Sequence, residues 1–307
     1  MDGVATERGL TLLELVIVLT ILAALTTVAS RSLGPVADQS RYERSQRILD
    51  EIERAYQLRG VEAGGIVSYS GFIADIGRLP IAIGDLPEVQ LSELWDPALL
   101  PPFAITLVDD PDTTDSEQIP VAAGWKGPYL LLPPGPSTLR DGFGNAFLHL
   151  DSSGIAVSDG EEIAGLVSLG SNGLLDPTDV DYARDLTLPG GIWTAGRFSG
   201  TVPFHVITSN GLDPELHSGE TLHVRLYGPI DGQAGRIASE EVSANASLRY
   251  EGNITATCGP RVIMAVVTTG SAPNEDVLRA SAPYQIVVAP GMNPTRELVL
   301  PPDPLAP

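Results

Sequence analysis

The sequence predicts an α+β protein in which a long N-terminal helix packs on a small antiparallel β-sheet domain, followed by a β-sandwich of immunoglobulin-like or fibronectin-like architecture. Three observations predict it. From Leu10 to Ala29 the chain is apolar, and its only ionisable residue there is Glu14. From Ile66 to about Leu188, short runs of aromatic and β-branched residues are cut by turns rich in Gly, Pro and Asn. From Thr201 onward the pattern is almost purely that of strands.

The first run matches the roughly 20 apolar residues a helix needs to cross a bilayer. An acid buried at the centre of such a span costs roughly 2.5 to 3.5 kcal/mol, so Glu14 calls for a partner. Cutting the chain after Gly9 would give Leu10 a new α-amino group about one helical turn from Glu14. Amine and carboxylate on identical chains stacked side by side could then neutralise each other. Past Ser30, Gly34-Pro35 predicts a kink or a locally melted turn, because proline lacks the amide donor and clashes with the preceding turn. Helical periodicity resumes with Val36, Tyr42, Leu49, Ile52 and Tyr56, while Arg41, Arg44, Glu51 and Arg54 lie mostly off that stripe. Gly60 and Gly64-Gly65 end it. A continuous helix from Leu10 to Arg59 would be about 75 Å long, a protruding stem.

In the middle of the chain, Gly71 to Pro80 reads as a short helical turn stopped by proline, and Asp109 to Glu117 as a solvated acidic loop. The segments Gly124-Trp125-Lys126-Gly127-Pro128-Tyr129-Leu130, Asp141-Gly142-Phe143-Gly144-Asn145-Ala146-Phe147 and Leu166 to Gly173 read as strands flanked by turns. Pro189-Gly190-Gly191 marks a boundary. Beyond it, Thr221 to Tyr227 alternates as a half-buried strand does, and Arg261 to Thr269 holds an apolar run suited to a buried one. Further strands are expected at Val202 to Thr208, Ala246 to Tyr250, Ile254 to Cys258, Tyr284 to Ala289 and Arg296 to Leu300.

Composition narrows the function. With 18 Lys and Arg against 39 Asp and Glu, the net charge is −21, which repels phosphate backbones and argues against nucleic acid as a partner. Cys258 is the only cysteine and reads as a buried, inert thiol, so no intrachain disulfide can form. The 32 Gly and 26 Pro, beside an ordinary 43% of hydrophobic residues, indicate loop-rich β structure and not disorder. His149, His205, His217 and His223 form no close metal-ligand or base-nucleophile pattern, and His223 reads as a surface position. Neither a phosphate-binding G-x-x-x-x-G-K-[ST] loop nor a G-x-S-x-G elbow is present. Glu240-Glu241 reads as a solvated edge, and Trp95, Trp125 and Trp193 as core. The chain is therefore expected not to be an enzyme.

Gly9-Leu10-Thr11-Leu12-Leu13-Glu14 followed by the apolar run resembles the leader and N-terminal helix of type IV pilins and type II secretion pseudopilins. Leu10 stands where phenylalanine is commonest. The G-W-x-G-P-Y-L segment at 124–130, the D-G-F-G-N-A-F turn at 141–147 and the S-L-G-S-N-G loop at 168–173 resemble, in that order, the globular domain of the major pseudopilin. Gly142-Phe143 replaces Pro-Trp there, and Ala146 replaces a second Pro. The resemblance covers roughly residues 9–188. It implies a prepilin leader at 1–9, a transmembrane and stem helix at 10–59, a pseudopilin (pilin-type) globular domain at 60–189 and, outside its reach, a C-terminal β-sandwich domain at 190–307.

What the resemblance implies is cleavage after Gly9 by a prepilin peptidase, methylation of Leu10, and Glu14 as the acid that guides assembly. The chain would be a structural subunit of a type II secretion apparatus, assembled with other pseudopilins into a pseudopilus that drives protein export. It would engage membrane lipid and an inner-membrane secretion platform. It would sit in the bacterial inner membrane with a single pass and its C-terminal domains in the periplasm. The resemblance also implies a Ca2+ ion in the acidic loop, bound through Leu169, Asn172, Asp179 and Asp181, with Asp176 and Asp185 nearby. Oxygen-rich irregular loops suit calcium, and Asn172 in place of Asp removes one charge; the same residues also read as an acidic surface turn without metal. A second reading is a type IV pilin or minor tip subunit whose C-terminal domain binds a ligand or secretion substrate, and a third is a membrane-anchored enzyme.

Overall fold

The computed structural model describes residues 12–61, 67–110, 118–132, 138–176, 178–272 and 274–303. The prepilin leader, Gly9 and Leu10 lie outside the described residues. Helix α1 spans Leu12–Tyr56 and runs through Pro35 without a break. The alternative of a locally melted turn is therefore not realised: Pro35 forfeits one backbone bond of a long ladder and the helix continues past it. Among the described residues the C-terminal half of α1 is packed: Ser45, Leu49, Ile52, Ala55 and Tyr56 are buried, spaced as one helical face. The helix stops at Tyr56, before the expected glycines, since Leu58–Val61 is already a strand (β1).

The chain continues as β2 (Val67–Ser70), a short helix α2 (Phe72–Ile76), β3 (Ala104–Val108), β4 (Ile119–Ala123), β5 (Leu148–Leu150), β6 (Gly165–Ser168) and β7 (Leu186–Thr187). Helix α2 is stopped by Gly77, whose φ of 94° is left-handed, and not by Pro80. Its sheets are small: β1-β2, β3-β4 and β5-β6-β7. The expected α+β class, with the long helix laid on one small antiparallel pilin sheet, is therefore corrected. Among the described residues the protein is mostly β, spread over five sheets, and no single sheet receives the helix. Instead Leu49, Ile52 and Tyr56 pack into a core built largely from α2 and loops, with Phe72, Leu94, Phe147 and Trp193. Prolines at 80, 87, 97, 101, 102, 120 and 128 explain this, because residues without an amide donor cannot sustain a broad ladder.

The single-pass inner-membrane placement is corrected as well. Among the described residues no helix is long and apolar enough to cross a membrane.

The C-terminal unit contains β8 (Ser199–Thr208), β9 (Glu220–Ile230), β10 (Gln233–Glu241), β11 (Tyr250–Thr257), β12 (Gly259–Ser271), β13 (Asn274–Ala280), β14 (Tyr284–Val288), β15 (Gly291–Met292) and β16 (Arg296–Leu300). One sheet runs β10-β9-β12, with β13 and β14 sharing the far edge of β12. The other runs β11-β8, with β15 and β16 both parallel to β8. Their facing sides enclose a core that includes Val206, Val224, Leu226, Ile263, Val288 and Leu298. The first sheet is also covered on its other side. Ile119 and Val121 of β4 pack on Tyr227, Val262, Met264 and Val266, so β12 is buried on both faces. This explains its unbroken apolar run, for a strand without a solvent face has no reason to alternate.

The boundary expected at residue 190 falls within a packed region. Trp193 is buried in the N-terminal core, edge-on to Tyr56 at 5.0 Å and Phe198 at 5.2 Å. Helix α2 fills the seam between the units. The amide of Gly232, in the β9-β10 turn, donates to Ile76 O at 2.9 Å, and Arg261 Nη1 donates to Ala74 O at 3.0 Å. Arg78 grips the buried Glu93 through both Nη atoms at 2.7 and 2.8 Å, and its Nε reaches Asp231 at 2.7 Å.

Under the β3-β4 hairpin lies a buried ion network. Arg225, 1% exposed, donates from Nη2 to Glu275 Oε2 at 2.5 Å, and its Nη1 lies 3.3 Å from Asp110 Oδ2 as an ion contact outside hydrogen-bonding geometry. Asp110 also accepts from Tyr227 Oη at 2.5 Å and from Arg236 Nη1 at 2.7 Å. Asp110 was expected in a solvated loop and is instead 3% exposed.

Two outcomes follow for folding stability. An Asp110→Asn variant leaves Arg225 and Arg236 short of one buried counter-charge and should cost about 3 to 5 kcal/mol in urea denaturation. A Cβ on Gly142 would collide with the carbonyl oxygen of Arg41, so Gly142→Ala must push the turn off α1. It should cost about 1 to 3 kcal/mol, read as a lower midpoint in thermal melting.

Candidate functional site

The N-terminal half of α1 is the largest unsatisfied surface of the described chain. Leu12, Leu13, Leu15, Val16, Ile17 and Leu19 are all about half exposed or more, and Ile21, Leu22 and Leu25 continue the exposure. Since consecutive helical residues point about 100° apart, the apolar surface wraps the whole cylinder. Thr20, Thr26 and Thr27 turn their hydroxyls inward to the carbonyls of Val16, Leu22 and Ala23 at 2.6 to 2.8 Å. Their methyl groups are left to face outward. Glu14, in the first turn, is the one charged side chain of 12–27 and sits at the positive end of the helix dipole. A helix that is apolar on every side is ordinarily buried.

The acidic loop lies beside the held half of the same helix, where Tyr182 meets Tyr42 edge-on at 6.1 Å. Asp141 organises its base: Oδ1 accepts from the amides of Phe143 and Asn145, and Oδ2 from Ser168 Oγ at 2.7 Å. The amide of Gly142 donates to Ser45 Oγ on α1, and Asn145 Nδ2 donates to Gly170 O. Within the loop, Leu169 O accepts from Gly173 N, and Asn172 donates its amide to Asp179. Asp176 caps a turn by accepting from Thr178 N and Oγ1, which holds its carboxyl below the usual range. Asp185 accepts from the amide of Asp176. Burial first, then Asp179 and Asp176, push the Asp185 carboxyl up.

Of the residues that the resemblance implied for calcium, Leu169, Asn172, Asp176, Asp179 and Asp181, Asn172 and Asp179 bond to each other, Asp176 bonds to Thr178, and Leu169 O accepts from Gly173. Among the described residues no group of three or more acids, histidines or cysteines could hold a metal ion. Asp181 contributes a turn with φ of 53°.

The histidines sit apart, each beside its own polar partner: His205 at 3.3 Å from Asp213, His217 at 2.7 Å from Asp303 and His223 at 3.9 Å from Glu275. His223 is half-buried and not at the surface, with the Glu275 side chain 3.9 Å from its ring; burial pushes its ring pKa down. His149 is buried on β5, its Nδ1 2.6 Å from Gln90 Oε1 and its Nε2 without a partner. The carbonyl oxygen of Gln90 requires the Nδ1–H tautomer, assigned here from the hydrogen-bond pattern. Cys258 is buried and its thiol is pushed up to about 11 by burial, which removes it as a nucleophile at neutral pH. Glu240 and Glu241 are exposed.

Sequence reading missed Asp110, Asp141, Arg225 and Glu275. An Asp opening a Gly-containing turn was a legible signal for Asp141. No local signal existed for the others, whose partners lie 50 or more positions away.

No family model matches the chain, and no curated protein matches it. Among solved structures it is similar to a leucine-rich repeat protein from Bacteroides thetaiotaomicron at 11% identity and a TM-score of 0.23. The match covers 51% of this chain, which spans 18% of that protein, and it carries no argument about fold or function.

His149 makes one pH dependence explicit. Burial pushes its ring down to about 4, against an ordinary 6.5 in the unfolded chain. Between those values the unfolded state binds a proton that the folded state lacks, so stability falls as pH drops from about 6.5 toward 4. Urea denaturation at pH 7 and pH 5 should show a smaller loss for His149→Leu than for the wild type across that window.

Proposed function

We propose that this chain is a non-catalytic structural subunit that assembles with copies of itself into a filament of the pilin class, through the N-terminal half of α1. The single observation that carries the reading is the all-round apolar exposure of residues 12–25 on a helix whose buried face, among the described residues, lies at its other end. Burying a Leu or Val side chain is worth about 1.5 to 3 kcal/mol, so several such residues per chain supply a large driving force for side-by-side packing. Glu14 at the head of this rod is the natural partner for the amine that cleavage after Gly9 would create on Leu10. The likeness of the leader motif to type II secretion pseudopilins supports the same reading independently.

The test uses the lone cysteine to advantage. Because Cys258 is buried, a thiol introduced by Leu22→Cys reports contacts between chains. Oxidation should yield disulfide-linked dimers, and adding Glu14→Ala should reduce their yield at least tenfold without altering the far-ultraviolet spectrum. Chains that stay monomeric at all concentrations, or dimers indifferent to Glu14→Ala, would overturn the proposal.

A further inference from the structure

A groove of about 910 Å³ opens between β14, the β3-β4 hairpin and the start of β12. Its size lies at the upper end of ligand sites. Its chemistry is unlike that of the rest of the chain. Although the protein carries 39 acids against 18 Lys and Arg, the groove is lined by Arg261 and Arg296 and by no Asp or Glu. The apolar part of the wall comes from Ile105, Val121, Val262 and Ile286, with Tyr284 at the rim.

The two arginines contribute differently. Arg261 is 2% exposed and donates only to neutral oxygens, those of Ala74, Pro260, Cys258 and Thr257. Its Nε has no partner, and burial pushes the guanidinium down to about 10, still charged at neutral pH. The acid nearest in effect is Asp75 on α2, which forms no ion pair with it and whose own carboxyl is pushed up by burial. A buried cation without a carboxylate in contact projects its field into the adjoining low-dielectric groove. Arg296 is half-buried, 5.9 Å from the centre of the Tyr284 ring, and forms no ion pair among the described residues. It is the arginine that an incoming carboxylate can touch.

One wall is the edge of a strand. β14 pairs with β12 along one side, and its other side pairs with no strand among the described residues. Four consecutive residues, Tyr284 to Val287, line the groove. An unpaired edge beside alternating apolar pockets is the arrangement by which sheets accept an extended peptide.

We propose that this groove binds an extended peptide segment of a partner protein, one that alternates acidic and apolar side chains. The segment adds along β14, seats its apolar side chains against the exposed Ile105, Pro120 and Tyr284, and presents a carboxylate to Arg296. Charge complementarity selects it: a basic peptide would be repelled by Arg296 and by the field of the buried Arg261, and an acidic one is attracted by both.

The test is fluorescence anisotropy of labelled Asp-Val and Lys-Val repeat peptides against the full chain. The Asp-Val peptide should bind saturably and the Lys-Val peptide at least tenfold more weakly. Arg296→Glu should weaken Asp-Val binding at least tenfold, whereas Arg249→Glu, the same charge change at an exposed site elsewhere, should stay within twofold. Tyr284→Ala, which removes the ring under Arg296, serves as a second probe should Arg296→Glu fail to fold. Equal binding of both peptides, no saturable binding, or indifference to both groove variants overturns the proposal. So does full competition by glutarate at equal carboxylate concentration, which would make the groove a small-anion site. Loss of self-association on Arg296→Glu in sedimentation, without a change in peptide binding, would place a second copy in the groove and also overturn it.

Discussion

Arg225 occupies the middle of a sheet that is covered on both sides, and the fold depends on the two carboxylates that meet it there. A guanidinium taken from water loses several kilocalories per mole of hydration, recovered only through close, well-placed counter-charges. Asp110 arrives from the end of β3 and Glu275 from β13. The hairpin of the N-terminal unit is thereby held on the C-terminal sheet by an ionic requirement as well as by the contacts of Ile119 and Val121. Helix α2 in the seam, the Arg78 clamp on Glu93 and Asp231, and the groove between β4 and β14 all depend on that docking.

The opposite end of the molecule has no such requirement met within one chain. The first half of α1 is apolar on every side, while the rest of the protein carries nearly all of its negative charge. On the filament reading these two features act together. Apolar rods draw copies into contact along their lengths, and like-charged globular units repel one another, which favours arrangements that keep the heads apart while the stems pack.

The parts legible in the sequence were those governed by local rules. The stripe of Leu49, Ile52 and Tyr56 placed the buried face of α1, and the run from Val262 to Val267 marked a strand enclosed on both sides. Strand β10 went unnoticed although Asp231-Gly232 is a strong two-residue hairpin signal; both residues adopt the positive φ that such a turn requires. The alternation of His223, Arg225 and Tyr227 indicated a face turned to water, and the structure buries much of that face beneath the β3-β4 hairpin. Alternation identifies which side chains share a face, but not what lies over it. The local pairings of the acidic loop were hidden for a related reason: composition shows the acids, but not that Asn172 bonds to Asp179 and Asp176 to Thr178.

The three tryptophans, at 95, 125 and 193, all belong to the helix-bearing unit, and Trp193 is closed in by Tyr56, Phe198 and the guanidinium of Arg197 at 4.8 Å. Strands β8 to β16 contain none. Indole emission is therefore an optical label on one half of the molecule, silent about the other. Any divergence between an emission trace and a circular dichroism trace on heating would reveal directly whether the seam between the halves gives way before either of them melts.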